Sequence, residues 1–370
     1  MILNNLELTN FRLHRHTKIK FSEQLNYIIG GNGQGKTSLL EAIYYLCTSK
    51  NLSQSKDQEV VSFNESFFNI RGNFTDLINN NIEIIYSSKE NKKVLNLDEK
   101  VIKRASNLIG KFPVVALTPS DHSITMGAPA DRRKFVDSVI SQASNTYLKI
   151  LIDYNRTLRQ RSALLYQIKE SYQPQLIDQL ETWTESLIKL GSEIIEHRIK
   201  FVKTFSEYIV ESYKTIMNSI EIPGIEYNYL NGNGDEEIRQ TFRKELERMK
   251  DHEVIRAKNL VGPHRDEFLF KINDLDLRKY GSQGQHKTFQ ISLRFGEFFY
   301  LKDTLGKTPI FLMDDVFGEL DAFRANKISE YMKKVGQAFI TLTDFSNFEH
   351  LTKSEDDLII KIKNGQVTYA

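Results

Sequence analysis

The rhythm of hydrophobic and polar positions changes twice along the chain. Up to about residue 130 it is short-ranged: "NIEIIYSS" (81–88) and "KVLNLDEKVIKR" (93–104) alternate apolar with polar residues, and "FPVVALTPSD" (112–121) is an apolar run ending in a loop. These patterns predict strands, the last of them buried. From Asp131 to about Lys258 the rhythm is helical. Leu176, Leu180, Trp183, Leu187, Leu190, Ile194, Phe201, Phe205 and Tyr208 follow steps of four and three with one place skipped, a stripe of about nine helical turns. The skipped place is His197, which has no second His, Cys or carboxylate cluster at ligand spacing and reads as a polar residue tolerated between packed helices. Trp183, on the same stripe, reads as core.

Leu151, Leu158 and Leu165 stand at heptad spacing in the preceding segment, and Pro174 separates the two. An antiparallel helical pair is expected, interrupted by "IPGIEYNYLNGNGDEE" before a third helix near 236–258. Strand signals return in "FLFKINDLDLRKYG", followed by a helix in "HKTFQISLRFGEFFYLKDT", a strand "PIFLMDD", another helix and a strand "QAFITLTD". The expected organisation is an α/β head in two halves, 1–130 and 259–370, with a helical lobe, 131–258, inserted between them.

A chain of 370 residues exceeds what one core usually holds, in keeping with two lobes. Lys plus Arg is 50 against 48 Asp plus Glu, a net of +2, so any basic surface must come from segregated charge. Cys47 is the only cysteine, which excludes an internal disulfide framework and a cysteine-rich zinc site. The N-terminus lacks a signal-peptide core and no segment approaches a membrane span, so a cytoplasmic protein is expected.

The chemistry concentrates first in "IIGGNGQGKTSLLEA" (28–42). Gly30, Gly31, Asn32, Gly33, Gln34, Gly35, Lys36 and Thr37 match G-x-x-x-x-G-K-[ST] without exception, with Ser38 opening the next helix and Leu25, Tyr27, Ile28 and Ile29 forming a buried strand before it. Glycines let the backbone curl until its N–H groups face phosphate oxygens, and the helix N-terminus adds partial positive charge. Lys36 is placed to reach the β- and γ-phosphates of a nucleotide, and the Thr37 hydroxyl to ligate Mg2+. In "PIFLMDDVFGELD", Asp314 is suited to the metal shell, and Asp315, one residue beyond, to the attacking water as base or orienter.

"YGSQGQHKT" (280–288) carries Ser282, Gln283, Gly284 and Gln285, which resemble the signature motif of ABC-type ATPases, where a serine and a glycine backbone at a helix N-terminus bind the γ-phosphate held by another protomer. Three motifs in this order, with a helical insertion between the first and second, resemble the ABC-type heads of the SMC family. "NFRLH", "GAPADRRKFVD", "YNRTLRQRSALL" and "LVGPHRDEF", with the motifs above, are similar to the RecF family over nearly the whole chain. The resemblance implies an ATP-dependent, sequence-nonspecific DNA-binding protein that forms a homodimer around two nucleotides. Such a protein acts on gapped or duplex DNA, works with RecR and RecO to help load RecA, and hydrolyses ATP slowly as a timer. It implies ATP at Gly30–Thr37, contact of Ser282 and Gly284 with the partner's nucleotide, and Asp321 in a loop lining the dimer seam. Arg132, Arg133, Arg156, Arg159 and Arg161 are the candidate DNA contacts, because basic residues neutralise phosphates without reading sequence. Two departures stand out: many members have Pro-Glu-Asp where Pro119, Ser120 and Asp121 stand, and many carry an arginine near Ser53. The alternative of an SMC-like structural chromosome or break-repair head sits poorly with helices of about 40 residues, which reach only about 60 Å.

Overall fold

The computed structural model describes residues 1–53, 55–171, 173–217, 220–230, 237–343 and 354–369. They group into two compact units, one of Met1–Asp121, Ser212–Ser219 and Ile291–Ala370, the other of His122–Glu211 and Ile220–Gln290. The first unit holds two sheets. An antiparallel sheet runs in the order His14–Lys20, Ile2–Phe11, Phe67–Thr75, Asn79–Ser87, Lys92–Leu97, Lys100–Val101. Its strands alternate buried with exposed positions, as in Phe67–Thr75, because one face packs on the core and the other does not. The second sheet runs Gln366–Tyr369, Leu358–Lys363, Leu25–Ile29, Ala338–Leu342, Ile310–Met313, Val114–Leu117, and all but the first are parallel. Val114–Leu117, Ile310–Met313 and Ala338–Leu342 are buried at every position, which is why they read as continuous apolar runs. One core joins both sheets to the helix Lys36–Thr48, from Leu3 and Phe68 through Leu39 and Ile43 to Ile310 and Ile360. Buried Gln337 pins the sheets together: its amide accepts from Leu3 N–H at 2.7 Å and donates to the carbonyls of Leu3 and Ser22, each at 2.8 Å.

The second unit contains the helices Pro129–Ala143, Asn145–Glu170 and Ile238–Arg256 and most of Pro174–Met217. The anticipated pair is unequal, 26 and 44 residues long. Leu164, Leu165 and Ile168 of the shorter helix bury against Leu180 of the longer, with Trp183 packed on the cluster. Among the described residues, no helix is long and apolar enough to cross a membrane.

The compact units divide at 121/122, 211/212, 219/220 and 290/291, where the expected organisation divides at 130/131 and 258/259. A three-stranded sheet lies inside the second unit. Glu267–Ile272 pairs antiparallel with Pro223–Asn228, within the stretch read as an interruption, and with Leu275–Asp276. Phe268 stacks on Tyr227 with ring centroids 4.5 Å apart. The strand expected in "FLFKINDLDLRKYG" is present as Glu267–Ile272, but its partner lies in the inserted segment rather than in the head, so the lobe is not purely helical.

Beside the polar break in the long stripe stands a second polar residue that the stripe did not single out. His197 is half-buried, its ring set edge-on to Tyr147 with centroids 5.4 Å apart, whereas Arg198 is fully buried. Its guanidinium donates to Asp137 at 2.9 and 3.0 Å and to the Pro263 carbonyl at 2.7 Å, and lies 3.6 Å from Asp266. One buried cation thus joins the helix Pro129–Ala143 to the turn before Glu267. Burial pushes the Asp266 carboxyl above its usual range and His264 down to about 4. His264 is therefore neutral, held between the Tyr154 hydroxyl at 2.8 Å and the Asn259 carbonyl at 3.3 Å. Arg198→Ala leaves two carboxylates without their cation, and breaking such a pair costs about 3–5 kcal/mol; chemical denaturation should show the unfolding free energy lowered by that amount.

Candidate nucleotide site

The strand Leu25–Ile29 ends in the glycine loop, and the helix Lys36–Thr48 starts directly from it. Gly33 and Gly35 take φ of +73° and +107°, conformations that cost L side chains 1–2 kcal/mol or more. Among the described residues the N–H groups from Gly35 to Ser38, at the helix start, are in no backbone hydrogen bond, so they are available to an anion. Lys36 is buried and folds back, its Nζ donating to the carbonyls of Gly30 at 2.7 Å and Gly31 at 3.1 Å. Leu13, Asn32, Gly33, Gly35, Lys36, Thr37, Ser38 and Asp315 line a cavity of about 190 Å³.

One strand separates the loop strand from Ile310–Met313, which delivers Asp314 and Asp315. Asp314 Oδ1 accepts from Thr37 Oγ1 at 3.0 Å and from Thr341 Oγ1 at 2.8 Å, and Thr341 Oγ1 in turn accepts from Asp315 N–H at 2.8 Å. Thr341 therefore orients both aspartates from the intervening strand. It escaped the sequence reading, although a hydroxyl inside the otherwise apolar "AFITL" was a usable signal. Burial is the main influence on Asp314 and raises its pKa, against the two threonine hydrogen bonds.

These donors fit Mg2+. Among the described residues no three His, Cys, Asp or Glu side chains gather to hold a metal alone, and Mg2+ in nucleotide sites leans on one or two protein ligands, with phosphate and water oxygens completing the octahedron. Thr37 and Asp314 would hold it, and the ion would neutralise charge on the β- and γ-phosphates. With a nucleotide in place the loop amides would face its phosphates, Lys36 would be within the same cavity to meet phosphate oxygens, and Asp315, which also lines it, would be placed to orient water.

Ser282, Gln283, Gly284 and Gln285 belong to the other compact unit and do not line this cavity. Ser282 and Gln285 form a reciprocal cap: Ser282 N–H donates to Gln285 Oε1 at 2.8 Å and Gln285 N–H to Ser282 Oγ at 3.2 Å. The cap stabilises the start of the helix Gln283–Leu305 and leaves Ser282 and Gln283 exposed. Asp321 caps Ala322–Met332, accepting from Arg324 N–H at 2.9 Å; that bond holds its carboxyl below the usual range. Arg12, from "NFRLH", pairs with buried Glu41 at 2.9 and 3.2 Å and reaches Ser53 Oγ at 3.2 Å, so a guanidinium does stand beside Ser53.

The candidate DNA contacts divide. Arg132 is buried in a two-pronged pair with Glu267, at 2.8 and 3.1 Å. Arg161 is buried among Glu253, Asn259 and Thr184, at 2.6, 2.6 and 2.9 Å. Half-buried Arg133 donates to the Asp266 carbonyl at 2.7 Å. Arg132 and Arg161 are therefore structural, correcting their reading as DNA contacts, because a guanidinium already saturated by carboxylate and sealed from solvent cannot reach a phosphate. Arg156 and Arg159 are exposed, with no carboxylate partner among the described residues.

A phosphate loop and an Asp-Asp strand one strand apart, with a serine-capped helix supplied by an inserted lobe, define an ABC-type nucleotide-binding head of the SMC class. The family model described as RecF/RecN/SMC N terminal domain matches residues 2–365. The chain belongs to the RecF family. It is 38% identical over 357 residues to the DNA replication and repair protein RecF of Chloroherpeton thalassium, covering 94% of this chain and 96% of that one. To the protein of the same name from Salinibacter ruber it is 35% identical over 363 residues, covering 96% and 88%. Its fold superposes on the recombination mediator protein RecF-ATP of the RecFOR pathway with a TM-score of 0.90 at 32% identity, covering 100% of this chain and 97% of that one. The fold is shared more distantly with an Smc head bound to the C-winged helix domain of ScpA, at a TM-score of 0.58 and 11% identity, covering 100% and 97%.

Arg132→Glu should destabilise the protein by about 3–5 kcal/mol, because it faces Glu267 with a like charge in a buried place. Arg156→Glu should stay within about 0.5 kcal/mol of the unmodified chain. Urea unfolding of the two variants checks the division between buried and available arginines.

Proposed function

We propose that the chain is an ATP-dependent, sequence-nonspecific DNA-binding protein of replication and recombinational repair. It acts in the cytoplasm, forms a homodimer around two Mg2+·ATP, and works with RecR and RecO to help load RecA on gapped or duplex DNA. ATP hydrolysis is slow and times release. The observation that carries this reading is the open row of loop amides beside the Thr37–Asp314 pair at 3.0 Å, a phosphate and metal site formed by one chain. The exposed Ser282 cap, at a helix N-terminus of the other unit, supports a composite site in which each protomer's signature faces its partner's nucleotide.

Lys36→Ala should lose ATP binding, since the phosphates lose their positioned cation. Ser282→Arg should bind ATP with near-normal affinity as a monomer and fail to dimerise. Light scattering with and without Mg2+·ATP decides: an unmodified chain that stays monomeric with ATP bound ends the composite-site reading.

On the DNA side, Lys149, Arg156 and Arg159 share the exposed face of the helix Asn145–Glu170. Contact with phosphates there makes affinity fall linearly on a log–log plot against salt, and each arginine changed to alanine should lessen the slope by about 1 without altering base preference. Fluorescence anisotropy over a salt series, with ATP present, measures both. An unchanged slope in the Arg156→Ala, Arg159→Ala double variant removes this face from the interface.

A further inference from the structure

The phosphate loop touches a part of the chain that neither the motif nor its usual description includes, the last hairpin. Leu358–Lys363 pairs with the loop strand in parallel, and Gln366–Tyr369 folds back on it. The turn between them, Asn364–Gly365, has φ of +50° and +74°, the left-handed pair of a tight hairpin turn. It is anchored to the crown of the loop at two points: Asn364 N–H donates to the Gln34 side-chain Oε1 at 2.7 Å, and Gly365 N–H to the Gln34 backbone carbonyl at 3.0 Å. The Gly365 carbonyl in turn accepts from the Thr17 hydroxyl at 3.2 Å and lies 3.1 Å from His14 Nδ1, while His14 Nε2 lies 3.1 Å from the Gly35 carbonyl. His14 is wholly buried, so its ring is a fixed strut between the loop and the turn. The fit is tight on both sides. A Cβ on Gly30 would stand 2.4 Å from the Ile362 carbonyl, and one on Gly365 2.3 Å from the Leu13 carbonyl.

We propose that Gln34 is a positioning residue which, through the Asn364–Gly365 turn and His14, holds the phosphate loop in its anion-receiving shape, making the C-terminal hairpin a working part of the nucleotide site. The physical need is plain: amides kept for phosphate cannot stabilise the loop by bonding within it, so the Gln34 carbonyl and side chain are tied to a neighbouring turn instead. Gln34 faces that turn, which assigns its side chain to support and leaves nucleotide contact to its backbone. The coupling is reciprocal. Phosphate bound to the amides steadies the loop, and a steadier loop steadies the turn.

The inference rests on the reading of the loop as an ATP site, and its test separates the two. Hydrogen–deuterium exchange is followed on the full chain with and without Mg2+·ATP, together with ATP affinity by fluorescent-analogue titration. In the unmodified chain, ATP should slow exchange in 28–40 and also in 358–369. Gln34→Met keeps length and removes the acceptor, so it should weaken ATP binding about fivefold, the equivalent of one hydrogen bond, and lessen the slowing in 358–369 while the unliganded thermal midpoint is kept. Gln366→Ala, on the same hairpin with its side chain exposed, should match the unmodified chain in both readouts. Slowing confined to 28–40, with Gln34→Met binding ATP as tightly as the unmodified chain, overturns the positioning role alone; no slowing in either segment overturns the nucleotide reading and the inference with it.

Discussion

A loop that presents its N–H groups to an anion cannot hold itself together with those same groups, and this constraint governs the first unit. Backbone donors left open are costly unless something else fixes the conformation. Here the fixing contacts all approach from the outside of the curl. Gly30 N–H donates to Leu342 O at 3.2 Å, Gln34 and Gly35 are tied to the last hairpin and to His14, and Lys36 neutralises the carbonyls it folds over. The parallel sheet makes this possible, because it sets the strands 338–342 and 358–363 on either side of the loop strand.

The same sheet order explains the metal and water groups. Asp314 and Asp315 sit at the end of Ile310–Met313, and the strand between them and the loop supplies Thr341, whose hydroxyl donates to one aspartate and accepts from the backbone of the other. A buried carboxylate with a raised pKa is an uneasy group on its own. Beside a divalent cation the ionised form would be favoured, so burial and a bound metal would act against each other on Asp314.

The second unit handles charge in the opposite way. Arg132, Arg161 and Arg198 are sealed and matched with Glu267, Glu253 and Asp137. Such pairs add little net stability over apolar packing, yet they tolerate few alternative arrangements, so they serve to fix which segment meets which. Arg156 and Arg159 share a helix with Arg161 but are exposed where it is buried, and among the described residues no carboxylate forms an ion pair with them. Buried and exposed arginines within five residues of each other therefore stand in unlike surroundings.

The phosphate loop, the Asp-Asp strand, the serine-glycine signature and the long helical stripe were legible from residue types and spacing, because each is a local arrangement whose chemistry depends on neighbours a few positions away. Even the strand Glu267–Ile272 was legible as a strand. Its partner was not, since period two says that a strand has one buried face and nothing about which sheet provides the cover; only the tertiary structure placed it beside Pro223–Asn228, inside the second unit. The arginines show the same limit: "DRRKFVD" and "YNRTLRQR" present equivalent cations, and burial against Glu267 or Glu253, more than a hundred and about ninety residues away in the chain, decides which are available. The last residues had no motif to mark them. Their part in the nucleotide site comes from Asn364 and Gly365 meeting Gln34 across 330 positions, a contact made by backbone N–H groups that every residue but proline carries, and so one that no pattern of side chains could announce.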